Sequence, residues 1–425
     1  MGPLAGIRIV DMTTVMMGPS ATQALAEMGA DVIKVEAPGG DGVRNIAPGR
    51  HPGMGGLFLN NNANKRSLAV NLKRPEGRAA LLRLAETADA LVYNVRPAAM
   101  ERLGLSYEAV AAARPDIVYL GMFGYGQDGP YATRPAYDDL IQGAAMIPAL
   151  VARAGDCEPR YVPNAIADRI VGLSAVSALC AALLHRERTG RGQRIDVPMF
   201  ETMTAFVLGD HMAGRTFDPP LDGGGYARLL ARERRPFRTR DGYLCALLYN
   251  DAQWRSFYTA IGQAERFEAD PRLTTMAARS VHIADLYAEL AEIFAGRTTA
   301  EWATLLTEAD VPFAPMHDFD TIFDDPHLQA IGFFRTEEHP TEGCVRRMRT
   351  PSTWSETQPV LDRPAPAYGE HSVDVLTEAG LAEKEIAALI ADGVVADGAA
   401  GPVTILAAEP VRSQRMDTHK AADPV

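Results

Sequence analysis

The chain has 425 residues, of which 47% are hydrophobic, and its formal net charge is −12. This length exceeds what one ordinary hydrophobic core requires and is sufficient for two domains. The negative charge disfavours nucleic acid and anionic membranes as main partners, although it is compatible with a local basic pocket for a polyanion. The four cysteines show no Cys-x-x-Cys spacing. We therefore expect neither a structural zinc site nor disulfides, and reduced thiols fit a cytoplasmic protein.

Two apolar runs bear on targeting. The first, Ile7–Val10, is far too short for the core of a signal peptide. The longest, Ile170–Leu184, falls short of a clean membrane span and follows an acid. We therefore expect a cytoplasmic protein without a membrane partner.

The amino-terminal part of the chain alternates short apolar strands with helices. Gly6–Met12 and Asp31–Glu36 are predicted strands, and Ser20–Met28 between them is a predicted helix. A strand, a helix and a strand in this spacing predict a parallel sheet with Rossmann-like winding. The Gly-x-Gly-x-x-Gly fingerprint is absent after the first strand, where Met16-Met17-Gly18-Pro19 stands instead. A nicotinamide-dependent dehydrogenase is therefore disfavoured.

The same periodicity and turn signals predict the remaining elements. Further strands are predicted at Ser67–Leu72, Asp89–Tyr93, Asp116–Gly121, Arg194–Pro198, Gly242–Leu248 and Val311–His317. Further helices are predicted at Pro75–Ala88, Ala98–Leu103, Tyr107–Ala113, Phe200–Gly214, Asp251–Ile261, His282–Phe294, Thr299–Ala309 and Ala382–Ala391. A hairpin is expected over Gly332–Glu338 and Cys344–Thr350.

Cations cluster at the ends of two predicted strands. The strand Ser67–Leu72 is flanked by Lys65-Arg66 and Lys73-Arg74, which face either phosphates or solvent. Arg96 and Arg102 follow the next strand. They are expected at the carboxyl edge of the sheet, where open α/β folds bind their ligands.

A long apolar helix follows a single acid, Asp168. Between Ile170 and Leu184 the only polar side chains are two serines, so a deeply buried helix is predicted. Gly190 stands where a glycine commonly ends a helix. An acid at a helix N-terminus is either a cap or a carboxylate nucleophile whose charged form the helix end stabilises. The local sequence leaves both interpretations open.

The stretch from Asp168 to Met199 resembles the family III CoA-transferases, the formyl-CoA transferase and carnitine CoA-transferase group. It contains the segment HRERTGRGQRIDVPM directly after the apolar helix. The same superfamily includes the α-methylacyl-CoA racemases. Gly369-Glu370-His371 before a C-terminal helix is similar to a motif of the family as well. The resemblance spans residues 4–392 and implies that Asp168 forms the acyl-enzyme.

The resemblance implies that coenzyme A binds, as an acyl-CoA substrate, at the carboxyl edge of the sheet, with a small carboxylic acid as second substrate. It implies neither a metal nor a nicotinamide cofactor. We therefore expect Asp168 to be the catalytic residue. The matching positions place the ligand contacts at Val15, Met16, Val70, Lys73, Asn94, Val95, Arg96, Ala99, Arg102, Arg134 and Tyr137.

The fold class implied by the resemblance is α/β. A Rossmann-like large domain is expected from both chain ends, with a smaller α+β domain inserted, and two subunits are expected to interlock as a homodimer. The expected ranges are 1–215 and 331–393 for the large CoA-binding domain and 216–330, with its linker, for the small domain. A flexible tail is expected at 394–425, and Gly223–Gly225 is a candidate for the family's mobile glycine loop.

Departures from the family pattern bear on the substrate. The formyl-CoA and oxalate members carry Gln where this chain has Met16 and Arg where it has Ala37. Losing both disfavours oxalate, while Met16 and Met17 suggest a more apolar acyl pocket. The racemases have a His-Asp pair where this chain has Tyr137-Asp138, and the missing His removes their second base. Two alternatives stay open: a racemase or epimerase with the helix aspartate as one base, and a non-catalytic acyl-CoA-binding protein.

Overall fold

The computed structural model describes residues 2–155 and 157–400 of the chain. Its strands form a seven-stranded, a three-stranded and a two-stranded sheet. The strands of the described residues are β1 (Arg8–Met12), β2 (Asp31–Glu36), β3 (Lys65–Val70), β4 (Ala90–Tyr93), β5 (Val118–Phe123), β6 (Gln193–Pro198), β7 (Phe237–Arg238), β8 (Tyr243–Ala246), β9 (Phe313–Pro315), β10 (Phe334–His339), β11 (Gly343–Met348) and β12 (Val395–Ala396).

Helices connect the strands of the large sheet and make up most of the region between β8 and β9. The helices of the described residues are α1 (Met17–Glu27), α2 (Gly56–Leu59), α3 (Pro75–Glu86), α4 (Pro97–Arg102), α5 (Tyr107–Ala113), α6 (Asp138–Ala144), α7 (Ile147–Gly155), α8 (Ile166–Thr189), α9 (Met199–His211), α10 (Asp251–Ala260), α11 (Ala264–Ala269), α12 (Met276–Val281), α13 (Ile283–Phe294), α14 (Thr299–Glu308), α15 (Pro326–Ala330), α16 (Ser372–Glu378) and α17 (Glu383–Ala391).

The large sheet has the strand order β12-β3-β2-β1-β4-β5-β6. Neighbours from β3 to β6 pair in parallel, and β12 joins β3 antiparallel. The order 3-2-1-4-5-6 is that of the doubly wound Rossmann sheet, in which the winding reverses between β1 and β4. Ligands of such sheets bind outside the carboxyl ends of the strands at this reversal. The predicted α/β class with Rossmann-like winding is thus confirmed.

Two hydrophobic clusters cover the faces of this sheet. On one face, α3 and α16 contribute Leu84 and Leu376 to the buried layer. On the other face, α1 and α8 contribute Leu25 and Leu179. Because both faces are covered, the strands read as continuous apolar runs rather than as an alternation of apolar and polar residues.

The carboxyl-terminal part of the chain returns to this sheet. Val394 and Val395 are buried, and Val395 pairs with Val70 across the β12–β3 ladder. The sequence prediction placed the start of a flexible tail at residue 394, whereas the structure keeps residues 394–396 in the core and at the edge of the sheet. A strand of only two residues is enough to join the sheet here, because the edge of β3 would otherwise be unpaired. Residues 401–425 of the predicted tail lie outside the described residues.

A third hydrophobic cluster lies between residues 231 and 313, separate from the two sheet clusters. In its centre the rings of Phe294 and Trp302 lie 4.6 Å apart. The helix α14 begins with the predicted capping box, in which Thr298 and Glu301 exchange side-chain to backbone hydrogen bonds. The cluster lies within the range predicted for a small domain, and the boundaries of that domain stay a prediction.

The helix α8 ends at the predicted Gly190, which has a left-handed φ of 69°, but it is less buried than predicted. Val171 and Leu179 lie in the core, but Leu173 is 68% exposed and Leu184 is 50% exposed. The deeply buried helix of the sequence prediction is therefore correct for one face of α8 only. By length and composition α8 is also apolar enough to cross a membrane, contrary to expectation. Core helices of soluble proteins pass the same test, so this is weak support for a span.

A glycine lets α8 approach α1 closely. A Cβ at Gly172 would lie 2.8 Å from Met17 O and 3.1 Å from Ser20 Oγ. A larger residue would push the two helices apart, because buried helices are packed without spare volume. The contact places the first turn of α8, with Asp168, beside the start of α1 at the carboxyl edge of the sheet.

Candidate active site

Asp168 is the third residue of α8. The N-cap position of α8 is Ala165, not Asp168, and the Asp168 backbone N–H donates to Asp138 Oδ1 at 2.9 Å. Within the described residues no donor hydrogen-bonds to the Asp168 carboxylate. The interpretation of Asp168 as the cap is therefore wrong, because Asp138 at the start of α6 caps this helix from outside. The Asp168 carboxylate is left available for chemistry.

The environment of Asp168 favours its neutral form. Partial burial, together with the negative charge of Asp138, raises the pKa of Asp168 to about 7, while Arg169 acts in the opposite direction. The sequence predicted that the helix end would stabilise the charged form. This stabilisation is outweighed by desolvation and by the like charge of Asp138. A carboxyl group that titrates near neutral pH keeps more basicity than an exposed one, which is typical of functional sites.

Asp138 is held in place by a buried glutamine. Gln142 Nε2 donates to Asp138 Oδ2 at 2.6 Å, and Gln142 Oε1 accepts from the Val162 N–H at 2.9 Å. Gln142 therefore ties α6 to the segment that leads into α8. Sequence reasoning used Asp138 only for the comparison with racemases and missed this role. The available signal was an acid followed by Gln four residues later, the spacing at which helical side chains meet.

The loop between β5 and α6 joins predicted ligand contacts to the start of α8. Arg96 donates from Nη1 to Thr133 O at 3.4 Å, and the Arg134 guanidinium lies 3.9 Å from the centre of the Tyr131 ring. Both arginines are exposed. Tyr137, which is 69% exposed, immediately precedes α6. The structure thus brings Arg96, Arg134 and Tyr137 to one loop that ends at the cap of α8.

Asn94 holds the turn that follows β1. Its Nδ2 donates to Thr14 O at 2.7 Å, and its Oδ1 accepts from the Thr14 N–H at 2.9 Å. Both polar ends of the amide are therefore occupied within the chain. The predicted contact of Asn94 with CoA stays a prediction, while the structure gives this side chain a part in positioning the turn.

A fully buried ion pair lies beneath the same turn. Lys34 Nζ donates to Thr13 O at 3.0 Å and to Asp41 Oδ2 at 2.8 Å. Asp41 Oδ1 accepts the Val15 N–H at 3.2 Å. Val15 has a φ of 69°, a left-handed conformation that is costly for a β-branched residue and must be held by its surroundings. Lys34 and Asp41 were not recognised as site residues from the sequence.

The two methionines of this turn have different environments. Met16 is half-buried, and the Asn61 side-chain amide lies 3.8 Å from its sulfur. Met17 is 5% exposed and packs in the hydrophobic core. The expectation that both line an acyl pocket is therefore wrong for Met17, which begins α1 and faces the sheet.

The residues around β3 that were predicted to contact the ligand have different environments in the structure. Val70 is buried in the hydrophobic core, so that only its main chain remains for a ligand contact. The strand begins two residues earlier than predicted, which places Lys65 and Arg66 inside it. Lys65 is fully buried against Asp11, and Arg66 forms salt bridges at the amino end of the strand. Neither faces a phosphate at the carboxyl edge, where Lys73 is exposed.

The remaining predicted contacts lie on or next to α4. This helix begins directly after the turn that follows β4. Val95 and Ala99 are half-buried, and Arg102 is exposed at the end of the helix. Arg96 and Arg102 therefore lie at the carboxyl edge next to the β1–β4 reversal, as the sequence predicted from their positions after a strand.

One side of the Asp168 region is open in the single chain. Asp168 is absent from the lining of five well-formed clefts of the described residues. Large apolar side chains of α6, of α8 and of the segment before α8 are exposed, with Leu140 at 52%, Tyr161 at 50% and Leu173 at 68%. A second protein chain that covered them would remove this apolar surface from water.

Comparison with known proteins decides the family. The model of CoA-transferase family III matches residues 4–372. The chain belongs to CoA-transferase family III. It is an acyl-CoA:carboxylate CoA-transferase, and the prediction of this family from the Asp168–Met199 stretch is confirmed.

Relatives of the family match over most of their length. A succinate–glutarate CoA-transferase from Agrobacterium fabrum is 35% identical over 88% of this chain and 95% of its own. A formyl-CoA:oxalate CoA-transferase from Escherichia coli is 31% identical over 91% of this chain and 98% of its own. The crystal structure of a CaiB/BaiF family protein from Brucella suis superposes with a TM-score of 0.75, at 31% identity, and covers 89% of this chain and 99% of its own.

Proposed function

We propose that this enzyme transfers CoA between carboxylic acids through covalent intermediates on Asp168. The observation that supports this most directly is the arrangement of the α8 N-terminus. Asp138 supplies the cap, so the Asp168 carboxylate is not consumed by the helix. Its pKa of about 7 gives it the basicity that a nucleophile requires near neutral pH.

The proposed reaction exchanges thioester for thioester. An Asp168 oxygen attacks the acyl-CoA carbonyl carbon, the carbon–sulfur bond breaks, and CoA leaves as a thiolate. The thiolate then attacks the aspartyl carbonyl of the resulting anhydride, which releases the first acid and leaves an aspartyl-CoA thioester. The acceptor acid attacks the carbonyl carbon of this thioester, its carbon–sulfur bond breaks, and a second anhydride forms as the CoA thiolate leaves. The thiolate takes the new acyl group, and Asp168 is regenerated without a net proton or ATP.

The surrounding residues bind CoA and protect the anhydride. The exposed cations Arg96, Arg102 and Lys73 neutralise the CoA phosphates at the carboxyl edge. Water must be excluded, because it would hydrolyse the anhydride. A second copy of the chain covers the exposed apolar residues of α6, α8 and the segment before α8, and the enzyme acts as an interlocked homodimer in the cytoplasm. The exposed apolar residues support this assignment.

The acyl group is more apolar than oxalate. Met16 and Ala37 stand where the oxalate-specific members carry Gln and Arg, which are polar groups suited to a small dianion. Met16 is half-buried at the turn beside α8, where a thioether adapts to an apolar acyl chain. The succinate–glutarate relative from Agrobacterium fabrum makes small dicarboxylates the first acids to test as acceptors.

A racemase would need a second base opposite Asp168. Tyr137 is a weak base at neutral pH, and both oxygens of Asp138 already accept hydrogen bonds, from the Asp168 N–H and from Gln142. Neither Tyr137 nor Asp138 is therefore suited to act as the second base, which favours CoA transfer over racemisation.

Oxygen-18 labelling tests the covalent route directly. The enzyme is incubated with a panel of acyl-CoA donors and with acceptor acids that carry oxygen-18 in both carboxylate positions. The first completed exchange leaves one labelled oxygen on the aspartate, so we expect the Asp168 peptide to gain about two daltons in a single turnover and up to about four daltons after repeated turnovers. Transfer without label in this peptide, or label on another side chain, would exclude Asp168 as the nucleophile.

Replacing Asp138 with Asn is expected to move the pH dependence of transfer. Asn keeps an oxygen for the Asp168 N–H but removes a negative charge that raises the pKa of Asp168. The pKa of Asp168 should fall, so that the rise of kcat/KM with pH occurs at lower pH, by about one unit.

Asp139→Asn is the matched control for this shift. Asp139 is the next acid on α6 and is exposed. Its replacement should leave the pH profile of kcat/KM unchanged. Equal shifts in both variants would mean that a general change of surface charge, rather than contact with Asp168, sets the profile.

A further inference from the structure

A basic segment outside the Asp168 region borders a cleft of its own. Six arginines occur between Arg228 and Arg240, in a chain whose net charge is −12. The cleft has a volume of about 310 Å³ and lies beside β7 and β8. Arg228, Arg234 and Arg235 line it together with apolar residues that include Phe237, Ala246 and Leu247. CoA transfer at Asp168 does not use this segment.

Two of these arginines have no carboxylate partner within the described residues. Arg228 is half-buried, its Nε donates to the Tyr287 hydroxyl at 3.2 Å, and its guanidinium lies 5.5 Å from the centre of the Tyr249 ring. Arg234 is exposed, with no side-chain partner in the same residues. Arg235 differs, because Glu233 pairs with it. Among the described residues the Arg228 guanidinium is therefore held by neutral groups, so no acid offsets its positive charge at the wall of the cleft.

The absence of acids distinguishes this cleft from four other well-formed clefts of the described residues. The other four are lined by carboxylates that include Glu301, Glu342, Asp31 and Glu337. No Asp or Glu is among the residues that line the arginine cleft. Low-dielectric walls around charges of one sign concentrate the positive potential and attract a counter-ion.

We propose that the arginine cleft binds a small organic anion. Its charged head lies against Arg228 and Arg234, and its apolar part lies on Phe237, Ala246 and Leu247. A guanidinium binds a carboxylate or a phosphate with two parallel hydrogen bonds. The volume is at the lower end of that of small-molecule sites, which fits an acid of several carbons rather than a whole CoA molecule. This assignment does not depend on the chemistry at Asp168.

Calorimetry on the full-length protein tests the recognition. The probes are sodium hexanoate, inorganic phosphate and the uncharged analogue 1-hexanol. We expect hexanoate to bind, phosphate to bind more weakly and hexanol not to bind. Arg228→Gln should weaken hexanoate binding by at least about tenfold, because a charge-assisted pair is lost. Arg238→Gln, an exposed arginine of the same segment that does not line the cleft, should leave it unchanged.

Cysteine protection localises the bound anion. Cys245 lines the cleft, whereas Cys157 and Cys344 are exposed elsewhere. Hexanoate should slow iodoacetamide modification of Cys245 alone, as measured by peptide mass spectrometry. The proposal is overturned if Arg228→Gln binds hexanoate as well as the parent protein does. It is equally overturned if hexanoate protects all three cysteines alike, or if phosphate binds and hexanoate does not. If Cys245 proves unreactive, the calorimetric comparison of Arg228→Gln with Arg238→Gln decides.

Discussion

Asp168→Asn is expected to reduce CoA transfer by at least about 10⁴-fold while acyl-CoA binding changes by less than about threefold. Removal of a covalent nucleophile costs several powers of ten even when the rest of the site is intact. Asn has nearly the same shape and keeps the backbone N–H that donates to Asp138. The cations proposed to bind CoA lie on other elements and are not touched. Steady-state transfer and calorimetric titration with CoA measure the two quantities.

The same substitution is expected to stabilise the fold in a pH-dependent way. Folding raises the pKa of Asp168 from 3.8 to about 7. Below about pH 4 the group is protonated in both states and costs nothing. As pH rises through this window the unfolded chain ionises first, so the folded state loses stability until about pH 7, after which the cost is constant. Asn removes that cost, so its gain should be near zero at pH 4 and about 2 kcal/mol at pH 8, allowing for partial exposure.

Urea unfolding of both proteins at pH 4, 6 and 8 measures this gain. Asp139→Asn again serves as the control, since its exposed carboxylate should change neither transfer nor the pH trend of stability. Full turnover by Asp168→Asn would remove the nucleophile from the mechanism. A gain in stability that is the same at all three pH values would show that the raised pKa is not its cause.

Local patterns predicted the parts of the fold that local sequence determines. β2 at Asp31–Glu36 and α5 at Tyr107–Ala113 have the predicted bounds, because each is an uninterrupted apolar or amphipathic run between turn residues. β12 was missed, since its two residues form a strand only by pairing with β3, more than 320 positions earlier in the chain. No local signal marks a strand of that length, and the surrounding Ala and Gly residues favoured a tail.

The site was predicted where one residue defines it and missed where contacts define it. Asp168 follows from its place before an apolar helix and from the family resemblance. Its cap, Asp138, lies 30 residues away and becomes a partner only when α6 packs on α8. Lys34 was read as part of an ordinary strand, although a lysine within a fully buried parallel strand must find a counter-charge. The need of Lys34 for a counter-charge was the sequence signal that could have identified Asp41 as its partner.

The second large effect is expected from this buried pair. Lys34→Met would leave the Asp41 carboxylate fully buried without its cation, at a cost of about 3–5 kcal/mol in the free energy of unfolding. The turn after β1 would lose the donor to Thr13 O, and the carboxylate that holds the Val15 N–H would be free to move. Transfer should therefore fall even in the fraction that folds, because Val15 and Met16 shift beside α8. Urea unfolding and kcat and KM measure the two effects.

A double variant separates stability from positioning. In Lys34→Met/Asp41→Leu both charges are replaced by apolar groups, which often restores the stability lost when one partner is removed. Leu cannot accept the Val15 N–H, so the left-handed conformation of Val15 remains unsupported. We therefore expect stability to recover while kcat/KM stays at least about tenfold low and the preference among acyl-chain lengths broadens.

A second ion pair, away from the turn, serves as the control for the Lys34 and Asp41 variants. Arg186 bridges Asp89 and Asp116 with a side chain only 14% exposed, at the amino edge of the sheet away from the turn. Arg186→Met should lose stability with little change in kcat/KM. If the double variant instead regains transfer along with stability, the pair serves the fold alone. The turn would then reach its left-handed conformation through Asn94 and packing without the carboxylate of Asp41.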